Sequence, residues 1–218
     1  MDIEVDENTV IVFDLDDTLY NELDYLKSAY KSIALFLEPN NWVTLYFRMF
    51  SKYRCKLNVF EIISKEYDVE LEILIGKYRN HIPEIQLFDG ALDVIKAIKY
   101  KKGKIGIVTD GRSATQRAKI ASLGLMEYVD QIIISEEIGS EKPDVANFKA
   151  IEDFLVGKEY YYIADNIKKD FIAPNLLGWN SIAVIDNGKN IHFEAYKYID
   201  ERNLPQNYVH LITDINII

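Results

Sequence analysis

A single cysteine, Cys55, in 218 residues excludes an internal disulfide framework and any metal site built from several thiolates. Glycine and proline are scarce, ten and five residues, beside 49% hydrophobic residues, so the chain is neither disordered nor collagen-like. Positive charge is also short: 25 Lys and Arg against 35 Asp and Glu give −10 and leave no broad basic face for a nucleic-acid backbone. No apolar run reaches the roughly 18 residues of a membrane span. The opening Met1-Asp2-Ile3-Glu4-Val5-Asp6-Glu7 is too acidic for a secretory leader. A cytoplasmic globular protein is therefore expected, partnered by neither nucleic acid nor membrane. Internal repeats and Gly/Ser/Pro-rich linkers are lacking as well.

Five short apolar runs each end in polar punctuation: 9–13 before Asp14, 104–108 before Thr109, 131–134 before Ser135, 160–164 before Asp165 and 181–185 before Asp186. Continuous apolar runs of this length suit strands buried on both faces of a parallel sheet. Helical spacing fills 91–100, 113–123 and 143–155, and strand alternating with helix predicts a doubly wound, mostly parallel α/β sheet. Residues 21–86 break the alternation, with amphipathic helical pattern over 26–37, 43–50, 59–67 and 71–78 and no clear strand. The expected organisation is an α/β core of 1–20 and 87–218, interrupted by a helical cap, 21–86. That cap is a candidate lid over the first strand's carboxyl end, where open α/β sheets bind ligands. Cys55 is expected to pack inside it, and 208–212 to form a last edge strand.

Four polar constellations fall at predicted strand ends. In Asp14-Leu15-Asp16-Asp17-Thr18-Leu19-Tyr20, Asp14 and Asp16 share a face if the strand continues, and two such carboxylates need a cation or a shared proton. Helix capping is the plain alternative, and it accounts well for Thr18. Thr109-Asp110-Gly111-Arg112 places a hydroxyl and exposed amides at a helix start, an anion-binding arrangement that is also an ordinary turn. In Ser135-Glu136-Glu137-Ile138-Gly139-Ser140-Glu141-Lys142-Pro143-Asp144, Pro143 suits the first turn of the next helix and holds Lys142 extended. Asp165-Asn166-Ile167-Lys168-Lys169-Asp170 puts two more acids a helical turn apart. Each segment alone has a bland reading. Together, at converging strand ends, carboxylates with one lysine and a phosphate-cradling loop describe a Mg²⁺-dependent phosphoryl-transfer site.

This order of motifs resembles the haloacid dehalogenase superfamily over nearly the whole chain, in its branch with an α-helical cap. Asp14 to Tyr20 resembles the first motif, Thr109 the second, Lys142-Pro143 the third, and Asp165 with Asp170 the fourth; Ala164 stands where members commonly carry Gly. The resemblance implies Asp14 as nucleophile and metal ligand, and Asp16 as acid/base that also contacts the metal through its backbone carbonyl. It implies Thr109, with the amides of Asp110 and Gly111, as the phosphoryl cradle and Lys142 as counter-charge. Asp165 would bind Mg²⁺ directly, with Asp170 in support. Asp16 favours phosphate esters, whose alkoxide leaving group benefits from a proton, over carbon–halogen cleavage.

The expected activity is hydrolysis of a small phosphorylated metabolite, a sugar phosphate or nucleoside monophosphate, through an aspartyl-phosphate. A phosphomutase using the same site is the alternative; a 2-haloacid dehalogenase or a non-catalytic protein of this fold ranks lower. Arg112, Arg48 and Arg54 are candidates for substrate contact, Arg112 the better one, since Arg48, Lys52 and Arg54 read more readily as a solvated face. The segment after Asp186 is expected to close the sheet and carry no chemistry. Nothing in the sequence separates a monomer from a homodimer.

Overall fold

The computed structural model describes all 218 residues, in two compact units: 1–22 with 86–218, and 23–85. The first unit opens with β1 (Asp2–Ile3) and β2 (Thr9–Phe13) and ends at the start of α1 (Glu22–Leu37). It resumes with α5 (Ala91–Tyr100), β3 (Lys104–Thr109), α6 (Ser113–Ser122), β4 (Gln131–Ile134), α7 (Ser135–Ile138) and α8 (Ala146–Phe154). Then follow β5 (Glu159–Ala164), α9 (Ile172–Leu176), β6 (Asn180–Val184), β7 (Asn207–Val209) and β8 (Asn216–Ile217).

Six strands form one wholly parallel sheet in the order β4-β3-β2-β5-β6-β7, with β2 paired to β3 on one side and β5 on the other. The chain winds outward from β2 through β3 and β4, then crosses to β5. The order therefore reverses beside β2, and the crevice at such a reversal is where open α/β sheets place ligands. Alternation sends Val10, Val12 and Val108 into one apolar layer with Phe148 and Ile151 of α8, Tyr162 and Trp179. All of Val10–Phe13 are buried, as a two-face-covered central strand requires.

The second unit holds the rest of α1, α2 (Trp42–Arg54), α3 (Val59–Tyr67) and α4 (Leu71–Asn80). Helical spacing puts Leu26, Tyr30, Ile33 and Ala34 of α1 in one cluster with Leu45, Met49, Val59, Ile63 and Leu74. The Asn58 side chain accepts the Glu61 amide, starting α3, and Asp68 in the left-handed region ends it. Its aromatic residues Tyr46, Phe50 and Tyr53 pack against the cluster. None of the helices is long and apolar enough to cross a membrane.

Several local expectations are corrected. The helix expected from Pro143 begins at Ala146, because the Asp144 carboxylate takes the Ala146 amide at 2.8 Å and keeps 143–145 in a turn. The last sheet strand is only 207–209; Ile212 turns inward in a short 3₁₀ segment tied by Asp214, whose carboxylate accepts the amides of His210 and Leu211. Cys55 is exposed at the end of α2, where the helix has run past its buried face of Leu45 and Met49. The parallel pair of β1 and β8 was too short to leave a sequence pattern.

Candidate active site

Asp14 follows β2 directly and is buried. Lys142, from the loop beyond α7, aims its ammonium at it: Nζ lies 2.7 Å from Asp14 Oδ1, 2.8 Å from Asp170 Oδ1 and 3.0 Å from the Tyr162 hydroxyl. Hydrogen bonds to Asp14 and Tyr162 and the ion pair with Asp170 thus surround the ammonium. The Lys142 backbone is held too, its amide donating to Asp110 Oδ1 at 3.0 Å. Burial works against the charge on Lys142, but Asp14 and Asp170 outweigh it and hold the lysine well above its usual pKa.

Asp14, Asp165 and Asp170 bring carboxylate oxygens within 4.8 Å of one another. Burial pushes Asp14 up to about 7, against the pull of Lys142, while Asp170 adds to the rise. Asp165 is pushed well above the usual carboxylate range by burial, then by Asp170 and Asp14. Three carboxylates facing one ammonium leave a surplus of negative charge in a desolvated place. A hard divalent cation with oxygen ligands fits that donor set, so these residues suit Mg²⁺. Supporting bonds orient them: the Asn166 amide donates to Asp170 Oδ2 at 3.0 Å, and Asn190 Nδ2 to Asp165 Oδ2 at 2.9 Å. The Thr18 hydroxyl points to Asp165 Oδ1 at 3.4 Å instead of capping a helix.

Asp16 does not join that cluster. Its carboxylate pairs with Lys119 of α6, whose Nζ lies 2.7 and 2.9 Å from the two oxygens. Gln116 Nε2 donates to Oδ2 at 3.0 Å, and the Tyr20 hydroxyl donates to Oδ1. Burial would raise Asp16, but Lys119 and these donors outweigh it and hold the carboxyl below its ordinary value. The first motif therefore feeds two carboxylate–lysine pairs, Asp14–Lys142 and Asp16–Lys119. Nearby Glu22 is pushed up to about 8 by burial and by Asp16.

Thr109 ends β3, and its Oγ1 accepts from Gln116 Nε2 at 2.6 Å. With a lone pair so occupied, the hydroxyl hydrogen is free to be donated elsewhere. The Gly111 amide, expected to face a phosphoryl oxygen, instead donates to Ser135 Oγ at 2.9 Å, because buried Ser135 opens α7 directly across from it. Asp110 accepts from Lys169 Nζ at 2.5 Å as well as from Lys142. The segment after β6 was expected to be inert, yet Asn190 reaches Asp165 and the Ile191 amide donates to Asp17 Oδ2 at 2.8 Å. A turn rich in polar residues, Asp186-Asn187-Gly188-Lys189-Asn190, brings them there.

Arg112 is exposed, 4.0 Å from Glu136. In the helical unit, Arg48 pairs with Glu66 at 2.5 Å, Lys52 lies 3.5 Å from the same carboxylate, and Arg54 is exposed at the end of α2. Sequence reasoning missed Lys119, Gln116, Ser135, Lys169 and Asn190. For two of them the structure alone supplies the signal: the buried stripe of α6 runs Gln116, Lys119, Ile120, so two polar side chains occupy core-facing positions.

The model of the family described as haloacid dehalogenase-like hydrolase matches residues 11–184. A glyceraldehyde 3-phosphate phosphatase of Methanocaldococcus jannaschii is 26% identical over 206 residues, 87% of this chain and 90% of its own length. The pyrimidine 5'-nucleotidase PynA of Streptococcus pneumoniae is 24% identical, over 79% of this chain and 78% of its own. Among solved structures, magnesium-bound YfnB of Bacillus subtilis, named as a HAD-hydrolase, superposes with a TM-score of 0.64 at 23% identity, covering 95% of this chain and 96% of that one.

Proposed function

From the chain's membership of the haloacid dehalogenase-like hydrolase family, we propose that it is a Mg²⁺-dependent phosphomonoesterase acting on a small phosphorylated metabolite, a sugar phosphate or nucleoside monophosphate. The observation that carries this reading is the buried cluster of Asp14, Lys142, Asp165 and Asp170 at the carboxyl ends of β2 and β5. Phosphatases and a nucleotidase among its relatives support the substrate class.

Asp14, Asp165 and Asp170 would hold the cation, which when bound neutralises phosphoryl charge and keeps the carboxylates ionised. Asp14 attacks phosphorus through a carboxylate oxygen, forming an aspartyl-phosphate as the bond to the leaving oxygen breaks. Asp16, ionised in its pair with Lys119, must take up a proton from solvent before it delivers one to that oxygen; it then removes one from the water that cleaves the acyl phosphate and returns Asp14. Thr109 donates its hydroxyl hydrogen to a phosphoryl oxygen. Lys142, fixed by Asp170 and Tyr162, offsets charge on Asp14 and on the phosphoryl group.

The test is hydrolysis of p-nitrophenyl phosphate with Mg²⁺, followed by a panel of sugar phosphates and nucleoside monophosphates. Asp14→Asn is expected to abolish turnover while leaving the circular dichroism spectrum unchanged. Correctly folded protein inert towards every phosphoester would sink the reading. Dependence on a sugar bisphosphate activator would assign a phosphomutase instead.

A further inference from the structure

The acid/base carboxylate proposed above is held chiefly by two residues that no motif of the sequence contains. Lys119 is 3% exposed, although lysine rarely sits this deep without a partner. Its Nζ bridges both oxygens of Asp16, at 2.7 and 2.9 Å. One turn earlier on the same helix, Gln116, 2% exposed, spans two site residues with a single amide nitrogen, 3.0 Å from Asp16 Oδ2 and 2.6 Å from Thr109 Oγ1. Tyr20 closes the fourth side by donating to Asp16 Oδ1. A spacing of three residues puts both α6 side chains on one face.

A buried ion pair is a weak source of stability, because desolvating both charges offsets their attraction. What such a pair supplies is direction. The two N–H groups of the Gln116 amide tie the carboxylate to the hydroxyl of the phosphate loop, so that the two are positioned as one unit. We infer that Lys119 and Gln116 are positioning residues of the reaction: they fix the carboxylate of Asp16 against the leaving oxygen and turn the Thr109 hydroxyl towards the phosphoryl group. Lys119 touches no reacting atom in this scheme and acts only through Asp16.

The inference rests on the phosphomonoesterase reading and makes a demand that a merely structural lysine would not. Help from Asp16 matters most when the leaving oxygen is basic and least when it departs readily as an anion. Full-length wild type, Lys119→Met and Lys119→Arg are assayed with saturating Mg²⁺ on phenyl phosphate and on p-nitrophenyl phosphate. For Lys119→Met, kcat on phenyl phosphate should fall by about tenfold or more, within the range that acid–base catalysis supplies. On p-nitrophenyl phosphate the fall should be several times smaller, KM on both esters should change little, and Lys119→Arg should recover most of the loss. Gln116→Leu should show the same leaving-group bias together with a raised KM, since it also releases Thr109. It carries the comparison alone if Lys119→Met does not fold. Equal losses on the two esters, or no loss, would overturn the inference while leaving the phosphatase reading intact. A wild type inert on both esters would remove both.

Discussion

Lys142 hydrogen-bonds Asp14 and the Tyr162 hydroxyl and pairs with Asp170, and its removal leaves Asp14 and Asp170 facing one another with only Lys169 to offset them. Breaking a buried pair by deleting one partner costs about 3–5 kcal/mol, so Lys142→Met should lower the denaturant midpoint strongly at pH 8. The loss should shrink at pH 5, because Asp14, already raised to about 7 by burial, then carries a proton and no longer repels its neighbour. An equal loss at both pH values would show that packing of the lysine stem dominates. Asp14 and Asp165 were legible in the sequence because each stands where an apolar run stops, and Lys142 and Asp170 because each lies within a few residues beyond such a stop. Lys119 and Gln116 were not: a lysine and a glutamine on a helix read as solvated residues until the packing of α6 against the first-motif loop is known.

Elements succeed or fail by what their ends are tied to. Strands β2 to β6 and the helix Ala91–Tyr100 were readable from sequence pattern alone, and so was the Asp89–Gly90 turn that precedes that helix. Gly90 has φ +76°, and a methyl group there would lie 2.3 Å from Thr213 Cγ2. Gly90→Ala should therefore cost about 1–3 kcal/mol in urea unfolding. Adding Thr213→Ser should recover the steric part and leave the left-handed backbone term of about 1–2 kcal/mol. The turn after β6 could not be read in the same way. The Asn190 side chain reaches Asp165 across 25 residues and the Ile191 amide reaches Asp17 across 174, separations across which local pattern carries no information. Because Asn190 orients Asp165 without itself being part of the acidic cluster, Asn190→Ala should weaken Mg²⁺ activation about tenfold. The unfolding free energy should fall only modestly, by about 1 kcal/mol for the lost hydrogen bond of buried Asn190. An unchanged Mg²⁺ titration would mean that Asp165 holds its orientation without that bond.

At the scale of the whole molecule, the net charge of −10 excludes a polyanion lying along the surface, but it says nothing about where the acids gather. Part of the excess is concentrated in Asp14, Asp165 and Asp170, and that concentration ties folding to pH and to the cation. Burial raises Asp14 to about 7 and Asp165 well above the carboxylate range. A carboxyl whose folded pKa is raised favours the fold fully below its unfolded value, near 4, and loses that contribution as pH climbs through the folded value. Without Mg²⁺, this contribution to stability should therefore decline between about pH 4 and pH 7 and above. A cation that binds only the folded, ionised cluster reverses the trend, by about 2.7 kcal/mol at a hundredfold excess over its Kd. For a chain of this size that is a rise in Tm of roughly 5–10 °C. Mg²⁺ should thus raise Tm by several degrees at pH 8 and by much less at pH 5.5, where protons occupy the same oxygens. Each compact unit carries one of the two tryptophans, so buried Trp179 can report on the α/β unit alone in a Trp42→Phe background. Asp165→Asn should abolish the Mg²⁺ shift and raise the metal-free Tm at pH 8, since it removes a charge that burial opposes. A shift of equal size with NaCl at matched ionic strength, or one independent of pH, would place the stabilisation in general screening of the acidic surface and not in this cluster.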